Sequence, residues 1–448
     1  VNSQSPIQNP KSKIERAHLK VEGVGRLETA ATTTRSRPAS AKFSLRRQAW
    51  RGGCSDFQSP VPPPPTCKCA QIEHSLRIAL IASDYAPTIG GVQTAVRHLA
   101  RNLRTRGHAV IIQSSLPARD VPTQEIVEDV PVYRFPWGRQ PLWSLPLRAL
   151  QTLVGMARVL RAFKPDVVYV HFLTINALYV LLLHYVLRFR LVVSARGNDI
   201  QGIPLRSRLQ RWMLARLFAR ADAILFCSSY VQRDAAPYLK HASPRAYVGV
   251  VGDGFDPDEF RAPHPYRHPA PYLLAMGRLV HKKGFDMLIR AFAHIAAEFP
   301  RVHLLIAGDG EERAVLERLI DELDLRARVH LLGFCDRATS LALFWGCEFF
   351  VLSSRLEPFG IVVAEAMAAH KAVLATKSGG VIDLMQDGVN GLLVEPTVDA
   401  LADGMRRLLA QPDATRAMGE RAAQTIQRHT WSAVTDELLA VLQRVAGD

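Results

Sequence analysis

The sequence predicts an α/β protein made of two open, doubly wound parallel sheets in series, preceded by a tail that does not fold. Three observations carry this. Short β-branched runs of strand length recur from Leu76 onward and alternate with one-sided helical stretches, as in parallel sheets with helical crossovers. The alternation stops in turn-rich text between Val248 and Phe260, where four prolines follow from Pro263 to Pro271, and then begins again. A chain of 448 residues with 48% apolar side chains is long enough for two cores plus extra segments.

The elements follow in order. RIALIAS is a short, buried strand. A loop with Pro87, Gly90 and Gly91 leads to a helix whose Val92, Ala95, Val96, Leu99 and Leu103 share one face, and Gly107 ends it. AVIIQSS is the next strand, completing a βαβ unit that implies parallel pairing and right-handed crossovers. Strands are expected at Val167–His171, Leu191–Ala195 and Ala223–Cys227. Leu173 to Val186 is the longest apolar run; it is short for a membrane span and broken by Asn176 and His184, so it reads as a buried helix. In the second half YLLAMG, VHLLIAG, VHLLG, EFFVL, AVLAT and GLLVEP are strands. Phe285 to Glu298 is a helix with Leu288, Ile289, Phe292 and Ile295 on one side, and helices fill Val398 to the end. The expected divisions are a disordered, basic and proline-rich tail over 1–74, one α/β domain over 75–262, a second over 263–428, and a final helix over 429–448 packing back toward the first domain. Paired sheets of this kind bind ligands at the carboxyl ends of their strands, in the cleft between domains.

Charge and cysteine narrow the chemistry. The net charge is +15, but residues 1–70 hold twelve Lys/Arg against four Asp/Glu, so the foldable part is only moderately basic. That suits an anionic substrate or membrane surface and argues against nucleic acid as a partner. Cys54, Cys67 and Cys69 lie in the tail and Cys227, Cys335 and Cys347 are scattered; no C-x-x-C or Cys/His metal spacing occurs, and a reducing compartment is the default. Glu28 to Arg51, rich in Ser, Thr, Ala and Arg, resembles an organelle transit segment, whereas no stretch reads as a secretory signal. A cytoplasmic location is expected, peripheral on the inner face of the plasma membrane if a basic helix described below meets lipid.

The densest chemistry lies in SRLEPFGIVVAEAMA. Glu357 precedes a Pro-Phe-Gly turn, which places its carboxylate in a loop. A helix opening near Gly360 aims free amides at the same point. Glu365 lies about two turns along that helix. A hydroxyl acceptor, a phosphate cradle and a second hydroxyl acceptor are the requirements of a nucleotide-sugar. The competing reading is a surface helix with two solvated acids.

The ordered motifs GGVQTAVRHLA, DGFDPDEF, GRLVHKKG, IAGDGEE, SRLEPFGIVVAEAMA and SGGVIDLMQDGVNGLLVEP resemble the retaining glycosyltransferases of family 4, with the two-domain GT-B fold, over roughly residues 76–445. The resemblance implies roles position by position. Arg278 and Lys283, beside Gly277 and Gly284, match the basic pair facing the donor diphosphate, where fixed cations stabilise the departing charge. Glu357 matches the glutamate near the transferred sugar; Phe359, Gly360 and Ile361 match the backbone donors, Glu365 the acceptor for ribose hydroxyls, and Gly379 and Gly380 a second backbone contact. Gly90 and Gly91 match a loop that admits phosphate and acceptor, with a plain tight turn as the rival reading.

Two departures stand out. In SARGNDI, Arg196 stands where the family often has a histidine and is followed by Gly197 and Asp199, and the resemblance implies that Arg196 and Asp199 belong to the acceptor and phosphate loop with Gly90 and Gly91. An arginine facing the cleft can bind a phosphate or hydroxyl but cannot act as a neutral base. His171 is near enough to compensate, against a structural role at a strand end. His370 stands where glycine is usual, which implies a local backbone adjustment. Asp256-Pro-Asp258 matches a metal-binding D-x-D only formally, and Asp258 reads as a turn or cap residue. No cofactor or metal is required by these motifs; the nucleotide-sugar is a substrate.

The resulting expectation is transfer of a sugar, of hexosyl type, from a nucleotide-sugar to a saccharide or lipid-linked acceptor in cell-surface polysaccharide, lipopolysaccharide or glycolipid synthesis. Arg206, Arg208, Arg211, Arg216 and Arg220 around Trp212 and Phe218 form a basic, aromatic helix that either lies on an anionic membrane or is a solvated face. A nucleotide-sugar epimerase on the same scaffold would turn over without acceptor. A non-catalytic polyanion-binding protein is disfavoured because over half the net charge sits in the tail. No G-x-G-x-x-G follows a strand and opens a helix, which argues against an NAD oxidoreductase.

Overall fold

The structure, a computed structural model, describes residues 75–88, 90–117, 121–137, 145–202 and 207–447. The expected tail over 1–74 and Arg206 lie outside the described residues.

Two sheets follow one another. The first joins β1 (Arg77–Ala82), β2 (Ala109–Ser115), β3 (Gln124–Val127), β4 (Val130–Phe135), β5 (Val167–His171), β6 (Arg190–Ala195), β7 (Ala223–Phe226) and β8 (Tyr247–Val250) in the order β3-β4-β2-β1-β5-β6-β7-β8. The second joins β9 (Tyr272–Met276), β10 (His303–Ala307), β11 (Val329–Gly333), β12 (Phe350–Leu352), β13 (Val373–Thr376) and β14 (Gly391–Val394) in the order β11-β10-β9-β12-β13-β14. Among the described residues every pairing is parallel except β3 with β4. Both orders reverse at a first strand: β1 lies between β2 and β5, and β9 between β10 and β12. The loops leaving these neighbours splay apart, and the crevice they leave is where such sheets bind ligands.

The first-half helices are α1 (Gly91–Thr105), α2 (Leu145–Phe163), α3 (Ile175–Leu187), α4 (Asn198–Gln201), α5 (Arg208–Phe218), α6 (Ser229–Asp234) and α7 (Ala236–Leu239). The second half has α8 (Phe285–Ile295), α9 (Arg313–Glu322), α10 (Arg337–Gly346), α11 (Ile361–Ala368), α12 (Val398–Ala410), α13 (Pro412–Ile426) and α14 (Trp431–Gly447). Helix α1 ends as its sequence directs. Gly107 has φ +83°, and the amides of Gly107 and His108 donate to the carbonyls of Arg104 and Leu103.

Three apolar clusters hold the layers. Leu99 and Leu103 of α1 join Ile78 and Leu80 on one face of the first sheet, together with Trp431, Leu438 and Leu442 of α14, so the end of the chain packs on the first half. Helices α8 and α12 cover one face of the second sheet. The largest cluster runs from the α2–α3–α5 side of the first sheet through Phe255, Phe260 and Phe359 into the second half. Each large side chain fully buried there contributes roughly 1.5–3 kcal/mol of transfer free energy.

Three sequence expectations are corrected. The turn-rich reading from Val248 hid β8, an edge strand whose Val248 and Val250 remain exposed. The β3–β4 hairpin was not foreseen, because a polar edge strand lacks the apolar run of a buried one. The run from Leu173 to Val186 does contain a helix, α3 over Ile175–Leu187, but Leu182, Tyr185 and Val186 are exposed, so α3 is buried on one face only. His370 sits at φ +58°, the left-handed backbone that explains why glycine suits this position.

Candidate active site

The second sheet builds the site at its reversal. The loop after β9 carries Gly277, Arg278, Lys282 and Lys283, and the loop after β12 carries Ser353 to Gly360. Arg355 clamps the two loops together, donating to Asp286 at 2.7 Å through two nitrogens and to the His281 carbonyl at 2.9 Å. Lys283 Nζ then lies 2.6 Å from Glu357 Oε2, and Ser354 Oγ donates to the same oxygen at 3.1 Å. Glu357 Oε1 receives no hydrogen bond among the described residues, although the side chain is 8% exposed. One carboxylate oxygen is thus fixed by a cation and a hydroxyl, and the other is left to accept from a ligand.

Backbone geometry holds Glu357 in place. Its amide donates to the Ser378 carbonyl at 3.1 Å and its carbonyl accepts from Gly380 at 2.8 Å, pairing it with Gly379. Gly379 has φ +94°, and a Cβ there would stand 2.0 Å from the Glu357 carbonyl oxygen. Only glycine fits so close an approach on such a backbone. Gly360 caps α11; the amides of Val363 and Ala364 return to its carbonyl at 2.9 and 3.2 Å. Those of Ile361 and Val362 precede any intrahelical acceptor and point outward at the positive end of the helix.

The charge around this point is lopsided. Arg278 is exposed and has no carboxylate partner among the described residues. Burial, and then the charges of Lys283 and Arg278, push the Lys282 ammonium below its usual range, against the pull of Glu357. Three cations face one carboxylate beside a helix N-terminus, an arrangement that favours an entering polyanion.

The first half closes over the same place. Ile361 Cδ1 lies 3.6 Å from where a Gly91 Cβ would be, so the N-termini of α1 and α11 meet across the cleft. Gly197 abuts Pro358, and a Cβ there would come within 2.4 Å of the proline ring. Ser228 Oγ donates to the Pro358 carbonyl at 2.6 Å. Ser229 donates to Asp383 through its amide at 2.7 Å and its hydroxyl at 2.6 Å. Phe359 is buried between the halves, near His429.

A family model described as Glycosyl transferases group 1 matches residues 256–425, and one described as Glycosyl transferase 4-like domain matches residues 90–254. The chain is a group 1 glycosyltransferase. An uncharacterized glycosyltransferase of Methanocaldococcus jannaschii is 26% identical over 392 residues, covering 82% of this chain and 97% of that one. Sucrose-phosphate synthase from Thermosynechococcus elongatus superposes with a TM-score of 0.71 at 21% identity, covering 83% of this chain and 99% of that one. The Anabaena protein HepE, solved with UDP and glucose, superposes at 0.66 and 21% identity, covering 82% of this chain and 100% of that one. The two sheets of this glycosyltransferase are the GT-B fold.

On the first-half side the glycosyltransferase departs from two sequence expectations. Arg196 does not present its guanidinium to the cleft. Nε donates to His171 Nε2 at 3.2 Å, Nη1 to the Val251 carbonyl at 2.9 Å, and Nη2 lies 3.4 Å from Asp253; the side chain is 4% exposed. Burial is the largest influence and opposes the charge, but Asp253 and the other neighbouring groups, Asp199 among them, together outweigh it and hold Arg196 protonated. Asp199 is a loop fastener: its carboxylate accepts from the amides of Leu173 at 2.9 Å, Arg196 at 3.0 Å and Gly197 at 2.8 Å. Burial still pushes it up to about 6 against these donors. His171 is driven well below its ordinary value by burial and by Arg196, so it stays neutral, locked between Tyr169 and Arg196. In the Asp256-Pro-Asp258 turn the cap is Asp256, accepting from the Asp258 amide at 3.0 Å, and Asp258 pairs with Arg261.

Glu365 is engaged. Arg337, at the start of α10 beyond the carboxyl end of β11, donates to Glu365 Oε1 at 2.5 Å and to Glu259 at 3.1 and 3.2 Å. Burial raises the Glu365 carboxyl, and Arg337 counters it. Sequence reading missed Arg337, and its place just past a strand's carboxyl end was the available signal. Arg337→Ala is expected to leave a buried acid unpaired and to destabilise the fold by about 1–3 kcal/mol. Chemical denaturation checks this, and an unchanged midpoint would show that the bridge contributes nothing.

Proposed function

We propose that this glycosyltransferase moves a sugar from a nucleotide-sugar to an acceptor hydroxyl with retention at the anomeric carbon. The observation that carries the reading is the Lys283–Glu357 pair at the sheet reversal, beside the open end of α11 and Arg278, which has no carboxylate partner among the described residues. In this reading the diphosphate sits on Arg278, Lys283 and the amides of Ile361 and Val362, with Gly379 and Gly380 lining its path. Glu357 Oε1 accepts from sugar hydroxyls and orients the ring. Glu365, steered by Arg337, accepts from the ribose. The bond from the anomeric carbon to phosphate oxygen breaks as the acceptor oxygen bonds from the same face. The acceptor proton passes to the departing phosphate, so no side-chain base is needed where Arg196 replaces a histidine. The first-half loop at Gly90 and Gly91 admits the acceptor.

A thermal-shift panel of nucleotide-sugars on the full chain tests the donor half of this reading. One donor is expected to raise the midpoint; no response from any would contradict it. The anomeric configuration of the product, read by nuclear magnetic resonance, tests retention.

The acceptor is proposed to reside on a membrane, as in lipopolysaccharide, polysaccharide or glycolipid synthesis. No helix among the described residues is long and apolar enough to cross a bilayer. Support comes from three neighbouring helices, α2, α3 and α5, none of which contains an acid. They expose Leu147, Leu150, Tyr185, Val186, Leu209 and Trp212. Exposed Arg208, Arg211, Arg216 and Arg220 flank them, with Arg220 stacked on Tyr185 at 4.7 Å. Apolar anchors among cations fit an anionic bilayer. The protein is expected to float with vesicles containing phosphatidylglycerol and not with phosphatidylcholine alone, and Trp212→Ala with Arg211→Ala to weaken this. Equal flotation with both lipids, or none, would contradict the membrane reading.

A further inference from the structure

At the opposite end of the second sheet from Lys283 and Glu357, about 15 Å along the strands, three histidines from separate parts of the chain converge. His303 opens β10, His330 is the second residue of β11, and His268 lies in the proline-rich segment that joins the halves. The register pairs Leu305 with His330, so His303 and His330 project from one face of the sheet. One ring nitrogen from each histidine lies within 4.8 Å of the other two. His303 Nδ1 and His330 Nε2 are 3.0 Å apart, and His268 meets His303 with ring centroids 5.0 Å apart.

The surroundings favour neutral imidazoles. His294 and His370 sit against Asp399 and Glu420, whereas these three have no carboxylate partner among the described residues. Burial first, and then the neighbouring rings, hold His303 and His330 below the usual histidine range. His268 Nδ1 lies 2.9 Å from the Ala270 carbonyl and 3.3 Å from the Ala270 amide; in the tautomer that donates to the nearer carbonyl, Nε2 keeps its lone pair. A ring fixed by its second nitrogen on a backbone carbonyl is the usual support for a metal-bound histidine.

We propose that His268, His303 and His330 form a binding site for one divalent transition-metal ion of the zinc class, with water completing its shell. Imidazole nitrogen suits such ions, and three ligands leave one tetrahedral position for water. Bonds of about 2.0–2.1 Å place the nitrogens about 3.3 Å apart; His303 Nδ1 and His330 Nε2 are already 3.0 Å apart, and the His268 nitrogen lies within 4.8 Å of both. The ion would fasten the linker to the second sheet, remote from the transfer site. Its ligands are too far apart in sequence to form a recognisable spacing.

The test uses the full chain after treatment with a chelator. Calorimetric titration with zinc is expected to show one equivalent bound and a raised unfolding midpoint. Cobalt is expected to give a four-coordinate visible spectrum without a thiolate charge-transfer band. His268→Ala, in a loop, and the pair His303→Gln with His330→Gln should each lower affinity at least about tenfold, no less than loss of a supporting hydrogen bond does. Circular dichroism verifies that each variant folds. Absence of saturable binding, affinity unchanged in folded variants, or a thiolate band from Cys54, Cys67 or Cys69 would overturn the proposal.

Discussion

Glu357→Ala is expected to abolish detectable sugar transfer, with a fall in kcat of at least about a hundredfold, while the donor still binds. The split follows from the two ends of the carboxylate. Oε2 is held by Lys283 and Ser354, whereas Oε1 receives no hydrogen bond among the described residues and is the oxygen proposed to position the sugar. Removal leaves the anomeric carbon poorly aligned with the acceptor, a loss felt in the transition state. It also frees Lys283 from its 2.6 Å partner, so the ammonium turns fully to phosphate and donor affinity is preserved or raised. Glu357→Gln keeps an acceptor oxygen of the same reach and should retain more turnover than alanine. Steady-state rates with calorimetric donor affinities check this. Full turnover in Glu357→Ala would show that the carboxylate does not orient the sugar.

Arg278→Ala and Lys283→Ala are expected to lower kcat on the order of a hundredfold to a thousandfold each, with smaller changes in KM. Negative charge grows on the departing diphosphate as the glycosidic bond breaks, so fixed cations act most strongly there. The two substitutions differ in a readable way. Arg278 has no carboxylate partner among the described residues, and its loss removes only attraction. Loss of Lys283 also leaves Glu357 facing the diphosphate without its counter-ion, so Lys283→Ala should weaken binding of the released nucleoside diphosphate more. A rise in KM with kcat intact would mean that both act in ground-state binding alone.

Most of the sheet architecture was legible because buried parallel strands are apolar throughout and their helices one-sided. RIALIA and HLLIA have burial patterns that are continuous apart from their first residue. Gln124–Val127 and Tyr247–Val250, half-exposed edges, carried no such signal and were missed. In the site, the Gly-x-x-x-x-x-Lys loop and the Glu-Pro-Phe-Gly turn were readable because each is contiguous, and the structure sets Lys283 against Glu357. The direction of Arg196 was not readable. It depends on Asp253 and on the Val251 carbonyl, some fifty residues away, which draw the guanidinium inward. The Glu259–Arg337–Glu365 bridge likewise joins three distant segments, so Glu365 looked like a free acceptor. Asp199 looked like a ligand for the same reason: its amide partners become visible only once the loop folds around it.

The central claim is that the second half grips the activated sugar by its pyrophosphate at the reversal of the six-stranded sheet. A crystal structure with a bound nucleotide-sugar, the donor chosen by thermal shift, tests it most directly. The diphosphate is expected between Arg278 and Lys283 and within hydrogen-bonding reach of the Ile361 and Val362 amides, with the sugar against Glu357. Density for the diphosphate on the first-half sheet, or outside the cleft with Lys283 and Glu357 still paired and untouched, would contradict it.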